Sequence, residues 1–371
     1  MDSNPVLVSD EDYEAAARER LSASVYGYFA GAAEDEVTLR ENRSAWDRVK
    51  VVPRVLVDVS RRSLATTVLG TPIRFPVMTA PCAFNALADP EGEKAVARAA
   101  AAVGTVQVLS TGAAFTIEEV AEAAAGPRWF QLYCVQSLEL SLRLVGRAEA
   151  AGYSAIVLTV DVPILGRRDR DVRTGFELPE GMGWKSLEFE GAAGKAPVVG
   201  GGAYRTAAQM LASGGNWTQT LDWNFLEKLC AATKLPVLVK GVLSPADALL
   251  AVERGARGVV VSNHGGRQLD GSLATAEALA PVVDAVAGRA EVFVDGGIRR
   301  GSHVLKALAL GARAVLIGRP YLWGLAARGE AGVVEVLTRF RDEFDVALAL
   351  AGKNSPQEVD RSLLAPAGPP R

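Results

Sequence analysis

Short apolar runs without polar alternation punctuate this chain, and most are followed by a stretch whose apolar residues recur three and four positions apart. Runs such as Leu235-Pro236-Val237-Leu238-Val239 and Val259-Val260-Val261 have no polar face, so they read as strands buried on both sides. The stretches between them have the spacing of helices that bury one face. From Pro76 onward the pattern predicts strand 76–81 with helix 90–103, strand 105–111 with helix 116–125, strand 129–133 with helix 137–151, and strand 155–162 with a helix near 222–233. It continues with strand 236–242 and a helix opened by Ser244-Pro245, an N-cap followed by proline at the first helical position. Strand 258–261 with helix 273–288, strand 291–295 with helix 301–311, and strand 314–318 with helices from Tyr321 complete it. Alternation of this kind, eight times over, predicts an α/β fold, the (β/α)8 TIM barrel. A doubly wound open sheet is the alternative.

Three segments lie outside the alternation. Residues 1–75 form an N-terminal extension: helical spacing over 10–33 with Gly31 as a C-cap, a second helix over 34–48, and strand-like pieces broken by Pro53, Gly70 and Pro72. Almost sixty residues separate Val162 from the helix near 222, rich in Gly and Ala over 191–202. Loops of that length are functional covers or linkers, and a loop after a barrel strand falls on the catalytic face. Residues 166–221 are therefore expected to form a mobile lid. The Pro- and Gly-rich tail, Leu363 to Arg371, is expected to fray.

Composition narrows the class. A chain of 371 residues suggests two domains at first sight, but α/β barrels run long as one, and 1–371 reads as a single domain. Its 49% hydrophobic content is enough for a large core. Lys plus Arg number 40 against 43 Asp plus Glu, a net charge of −3, which argues against a nucleic-acid or anionic-membrane surface. No apolar run approaches the length of a membrane span, and Met1 to Asp12 lacks the core of a signal peptide. Cys82, Cys134 and Cys230 are widely spaced thiols without metal-ligand spacing, as expected of a cytoplasmic protein.

In a barrel the strand ends share one face, and seven of the eight here carry polar groups. They include Ser110-Thr111-Gly112, Gln131-Leu132-Tyr133, Thr159-Val160-Asp161, Lys240-Gly241, Ser262-Asn263-His264 with Arg267, Asp295-Gly296-Gly297 with Arg299, and Gly318-Arg319. The last two units supply glycine amides and two guanidinium groups suited to a phosphate. Lys240 and Asp161, each at the mouth of a buried strand, need partners. Either they pair with each other, or Lys240 holds negative charge on a cofactor while Asp161 supports a histidine that becomes cationic. His303, in the helix after the seventh strand, is expected to be dispensable.

Ser262-Asn263-His264-Gly265-Gly266-Arg267-Gln268 resembles the signature of the FMN-dependent 2-hydroxy-acid dehydrogenases and oxidases, the family of glycolate oxidase, lactate oxidase and mandelate dehydrogenase. The resemblance runs from Tyr26-Gly27-Tyr28 through Leu165-Gly166-Arg167-Arg168 to Gly318-Arg319-Pro320. It implies FMN across the barrel mouth, its phosphate on Arg299, Gly318 and Arg319, its ribityl chain near Asp295, with Ser262, Gly296, Gly297 and Ile298 also in the cofactor site. Pro81, Cys82 and Ala83, with Ser110, Gln131, Tyr133 and Thr159, would meet the flavin ring, and Lys240 would sit by its N1 and O2. Arg267 and Arg168 would clamp the carboxylate of a 2-hydroxy acid, helped by Tyr28, with Tyr133 on the substrate oxygen. His264 would be the base and Asp161 its orienting carboxylate.

Oxygen or another acceptor would take the electrons, and the resemblance suggests a homotetramer. Gly112 departs from the tryptophan of glycolate oxidases, which implies a roomy pocket and an aromatic substrate such as mandelate, with Phe176, Trp184 and Tyr204 as apolar walls. Cys82 and Asn85 depart from the family as well, and Ala83 leans towards an oxidase or dehydrogenase rather than a monooxygenase. A phosphate-substrate lyase or isomerase using Lys240 as a Schiff base, and a non-catalytic flavin- or phosphate-binding barrel, are the competing readings.

Overall fold

The computed structural model describes residues 6–134, 137–187 and 219–366. Three helices lead the chain: α1 (Asp10–Arg20), α2 (Ala23–Ala30) and α3 (Val37–Arg48). A hairpin of β1 (Thr66–Val68) and β2 (Thr71–Ile73) follows. Then come β3 (Val77–Thr79), α4 (Gly92–Val103), β4 (Gln107–Ser110), α5 (Ile117–Ala123), β5 (Arg128–Tyr133), α6 (Leu138–Ala150) and β6 (Ile156–Thr159). After a short α7 (Asp169–Arg173) and α8 (Trp223–Ala232), the pattern resumes with β7 (Val237–Val242), α9 (Pro245–Glu253), β8 (Gly258–Val261), α10 (Thr275–Val286), β9 (Glu291–Val294), α11 (Gly301–Ala309), β10 (Ala314–Ile317) and α12 (Arg319–Leu350). Strands β3 to β10 close into a parallel barrel in chain order, β10 pairing with β3. The open-sheet alternative is thereby excluded.

Residues of one parity point inward. Met78, Val108, Trp129, Val157, Leu238, Val260, Phe293 and Leu316 fill the barrel in one buried cluster, with Trp129 edge-on to Phe293 at 5.5 Å. Val68 and Ile73 of the hairpin join that cluster, and Leu69 N donates to the Glu291 carboxylate at the foot of β9 (3.0 Å). The hairpin thus closes the N-terminal end of the barrel. Two residues further along the same parity lie Ser110, Gln131, Thr159, Lys240, Ser262 and Asp295, so the period of the strands delivers polar groups to the opposite mouth.

The extension differs from the expected pattern. The helix over 10–33 is two helices, because the Ser22 hydroxyl accepts from Val25 N (3.3 Å) and starts a new one. Gly31 follows α2 but with φ −68, so no left-handed cap is formed; its smallness serves packing, since a Cβ would lie 2.7 Å from Gly27 O. α3 begins at Val37 rather than 34, with Glu34 and Glu36 at φ 45 and 60. The tail does not fray at Leu363: that residue is fully buried, and Leu364 bridges Val51.

Candidate active site

β8 ends in a tight turn. His264 has φ +57, and Gly265 and Gly266 follow at φ +65 and +79, a left-handed run that only glycines accept without strain. The strain at His264 aims its ring over the mouth. Its backbone N–H donates to Ser262 Oγ (3.0 Å), which also accepts from the Lys240 ammonium (3.0 Å). Asp161 accepts from His264 Nδ1 at 3.0 Å, which leaves the Nε2 lone pair facing the Tyr133 hydroxyl at 3.3 Å. Burial holds the His264 pKa below its usual value, and Asp161 opposes that effect.

Of the two readings of Lys240 and Asp161, the pairing with each other is not what forms. Lys240 Nζ meets Asp295 Oδ2 at 3.1 Å, both side chains almost wholly buried. Burial alone would lower the Lys240 pKa; Asp295 and Asp161 more than reverse it, so the amine stays charged. A charged ammonium held this way is unfit to be a Schiff-base nucleophile.

An open cleft of about 1400 Å³ of empty space crosses this end of the barrel. Arg299, Arg319, Gly296, Gly297, Ile298 and Gly318 line one part of it, Ala80 to Ala83, Lys240 and Asp295 another, and Tyr28, Tyr133, Arg168, His264 and Arg267 a third. Gly318 precedes α12 without a side-chain cap; Pro320 has no N–H, and Tyr321 N and Leu322 N donate to Gly318 O (3.1 and 3.3 Å), so of the first turn the Arg319 amide is left open. Arg319 also donates to three backbone carbonyls, of Phe29, Gly265 and Gly31. Arg267 likewise donates through Nη1 to Tyr28 O (2.6 Å) and Gly31 O (2.8 Å) and stacks over the Tyr28 ring. Burial and the neighbouring Arg267 bring the Arg168 pKa down to about 10, and Arg168 Nε has no partner among the described residues. The buried Asp171 carboxylate faces both guanidinium groups, and two cations against one carboxylate leave a positive site for an anion.

Ser110, Gln131 and Thr159 are buried in the mouth layer and tied to one another rather than lining the open cleft: Gln131 accepts from Ser110 Oγ (3.1 Å) and donates to Thr159 Oγ1 (3.0 Å). Gly112 does not line the cleft either. The Trp184 indole lies against it, 3.3 Å from where a Cβ would stand, with Ala83 at 2.9 Å. The space that the missing side chain was expected to open is therefore occupied by Trp184, from the stretch after α7. Phe176 and Trp184 do line the cleft, Phe176 stacked on Tyr28 at 4.3 Å; Tyr204 lies outside the described residues.

Other groups at the site had no contact assigned to them from the sequence. Asp10, buried on α1, pairs with Arg299 at 2.7 Å; its spacing with Tyr13 and Ala17 on the buried face was the available signal. His303 Nδ1 accepts from Arg299 N (3.3 Å), which ties this histidine to the turn that carries Arg299. Gln268 donates to Asp161 O (2.7 Å) and Ile164 O (2.9 Å), fixing the stretch after β6; residues 188–218 of the expected lid lie outside the described residues. Gly241, at φ +106, has the Asp161 carboxyl carbon 2.4 Å from where a Cβ would be.

Among known proteins, the chain is 49% identical over 353 residues to glycolate oxidase 3 of Arabidopsis thaliana, covering 95% of this chain and 94% of the relative. It is 48% identical over 358 residues to an L-lactate oxidase of Nostoc sp., with 95% and 96% covered. A solved structure of mandelate oxidase with (S)-4-hydroxymandelic acid superposes with a TM-score of 0.89 at 43% identity, covering 95% of this chain and 97% of that one. The model of the FMN-dependent dehydrogenases matches residues 17–366. With the histidine turn, the paired arginines and the closed barrel in place, the chain belongs to the FMN-dependent dehydrogenase family, whose members oxidise 2-hydroxy acids with FMN.

Proposed function

We propose that this protein oxidises an (S)-2-hydroxy acid with an aromatic substituent, of the mandelate kind, to the 2-oxo acid. The observation that carries the acid is the pair Arg168 and Arg267 beside His264 and Tyr133 in one cleft. The aromatic preference rests on the ring faces of Tyr28, Phe84, Phe176 and Trp184 along the same wall, and no longer on a void at Gly112.

The cleft suits FMN. Asp295 Oδ1 is buried without a partner among the described residues, the uncapped start of α12 and Arg299 and Arg319 provide for a phosphate, and Lys240 provides a cation at the centre. Arg299, Arg319, Gly296, Gly297, Ile298 and Gly318 would hold the phosphate end, and Pro81, Cys82, Ala83, Tyr133 and Lys240 the ring, with Ser110, Gln131, Thr159 and Ser262 in the layer that supports it. Bound FMN supplies the two-electron acceptor, and oxygen or another acceptor takes the electrons onward. On the protein side, Arg168, Arg267 and the Tyr28 hydroxyl hold the carboxylate, and Tyr133 holds the substrate hydroxyl. His264 Nε2 removes a proton, and Asp161 stabilises the imidazolium that results. We place the enzyme, without a metal, in the cytoplasm as a homo-oligomer.

A small aliphatic acid is the second reading, favoured by the glycolate and lactate oxidases among the relatives. The deciding experiment is anaerobic bleaching of the bound flavin by mandelate, lactate and glycolate, in wild type and His264→Ala. Bleaching fastest with mandelate, and slowed about 10²–10⁴-fold in the variant, is expected. Preference for glycolate would remove the aromatic reading, and near-normal bleaching by His264→Ala would remove the base.

A further inference from the structure

We propose that Trp184, carried by the stretch after α7 and not by a strand end, is the specificity wall of the substrate pocket, standing where a side chain at position 112 would otherwise project. The inference rests on the oxidation of 2-hydroxy acids proposed above.

The geometry is reciprocal. A Cβ at Gly112 would stand 2.9 Å from Ala83 Cβ, 3.3 Å from Trp184 Nε1 and 3.4 Å from Cε2, so a larger residue there presses on Ala83 and on the indole together. Trp184 is 7% exposed, lines the cleft, and lies nearly parallel to Tyr133, ring centres 5.7 Å apart at 22°. The Tyr133 hydroxyl in turn reaches His264 Nε2 at 3.3 Å. One ring therefore separates the indole from the base.

Its position is fixed by the backbone around it. Lys185 N donates to Ala113 O (3.2 Å), Leu187 N donates to Trp184 O (3.0 Å), and Arg147 Nη1 donates to Ser186 O (2.7 Å). The first bond joins the turn to the chain leaving β4, right beside Gly112, and the last joins it to α6. A glycine at 112 and a tryptophan at 184 are thus two halves of one wall. The flat apolar face this wall presents fits an aryl substituent on the substrate's α-carbon better than a hydrogen or methyl.

The test is kcat/KM for mandelate, lactate and glycolate in four FMN-loaded proteins: wild type, Trp184→Ala, Gly112→Trp, and the double variant. Trp184→Ala is expected to lose about tenfold or more on mandelate with a far smaller change on glycolate. Gly112→Trp alone is expected to lose activity on all three acids, because two indoles compete for one space. The double variant is expected to regain much of that loss, a non-additivity that unrelated structural damage would not give. The Kd of benzoylformate, read from the flavin absorbance, is expected to rise in Trp184→Ala. Trp184→Phe, which keeps a ring, should stay near wild type on mandelate. An equal factor for all three acids in Trp184→Ala, or a double variant no better than Gly112→Trp, would overturn the assignment. Failure of the wild type to oxidise any of the acids would instead remove the parent reading.

Discussion

Asp161→Asn keeps the shape beside His264 and removes the charge, so it isolates what the carboxylate contributes. The two groups meet at 3.0 Å. At an effective dielectric constant of about 20, unit charges at that separation attract by about 5.5 kcal/mol. The imidazolium charge is spread over the ring, so about 3–5 kcal/mol is the expected loss of stabilisation, about 10²–10⁴-fold in rate. The Asn amide can also turn its NH2 group towards Nδ1, which favours the wrong tautomer. The assay is anaerobic stopped-flow reduction of the bound flavin by mandelate, across pH. His264 works as a base only when neutral, so the rate falls as pH drops through its pKa. Burial already holds that pKa below the usual 6.5 and Asp161 raises it; the variant should therefore be slower on the plateau with its acid limb moved to lower pH. A reduction rate within about fivefold of wild type, or an acid limb moved to higher pH, would refute the assignment of Asp161.

Three further outcomes are expected. Arg319→Ala should lower flavin occupancy, with activity returning on added FMN, because a charge-assisted donor to the phosphate is lost; unchanged FMN affinity with a raised KM would misplace the phosphate. Gly241→Ala should cost about 1–3 kcal/mol in a urea melt for its left-handed backbone and slow flavin reduction as well, because its Cβ would press on Asp161; wild-type stability and rate would contradict this. Burial lowers the His303 pKa to about 4, so between pH 6.5 and 4 the unfolded chain binds a proton that the folded one does not. Stability should fall with pH across that window, and His303→Gln should flatten the decline in urea midpoints.

The sequence by itself determined the barrel. Apolar runs such as Val259 to Val261 bury both faces, and amphipathic stretches between them can only shield such strands from outside, so the units read correctly within a few residues. Because side chains alternate along a strand, the sequence also determined that Lys240, Ser262, His264 and Asp295 meet at one mouth. Partner choice was another matter. Lys240 could have paired with Asp161 or with an anion; only closure of the barrel, which sets β7 two strands away from β9, brought it to Asp295. Asp10 and Arg299, distant in sequence, meet because α1 packs against α12, beside the turn that carries Arg299. Gly112 is the clearest case. A missing side chain announces space along the chain, yet whether that space stays open depends on what another segment folds into it, and here Trp184 does. Local patterns fix which face a residue presents; which atoms then fill the gap is decided by packing between segments that no local period relates.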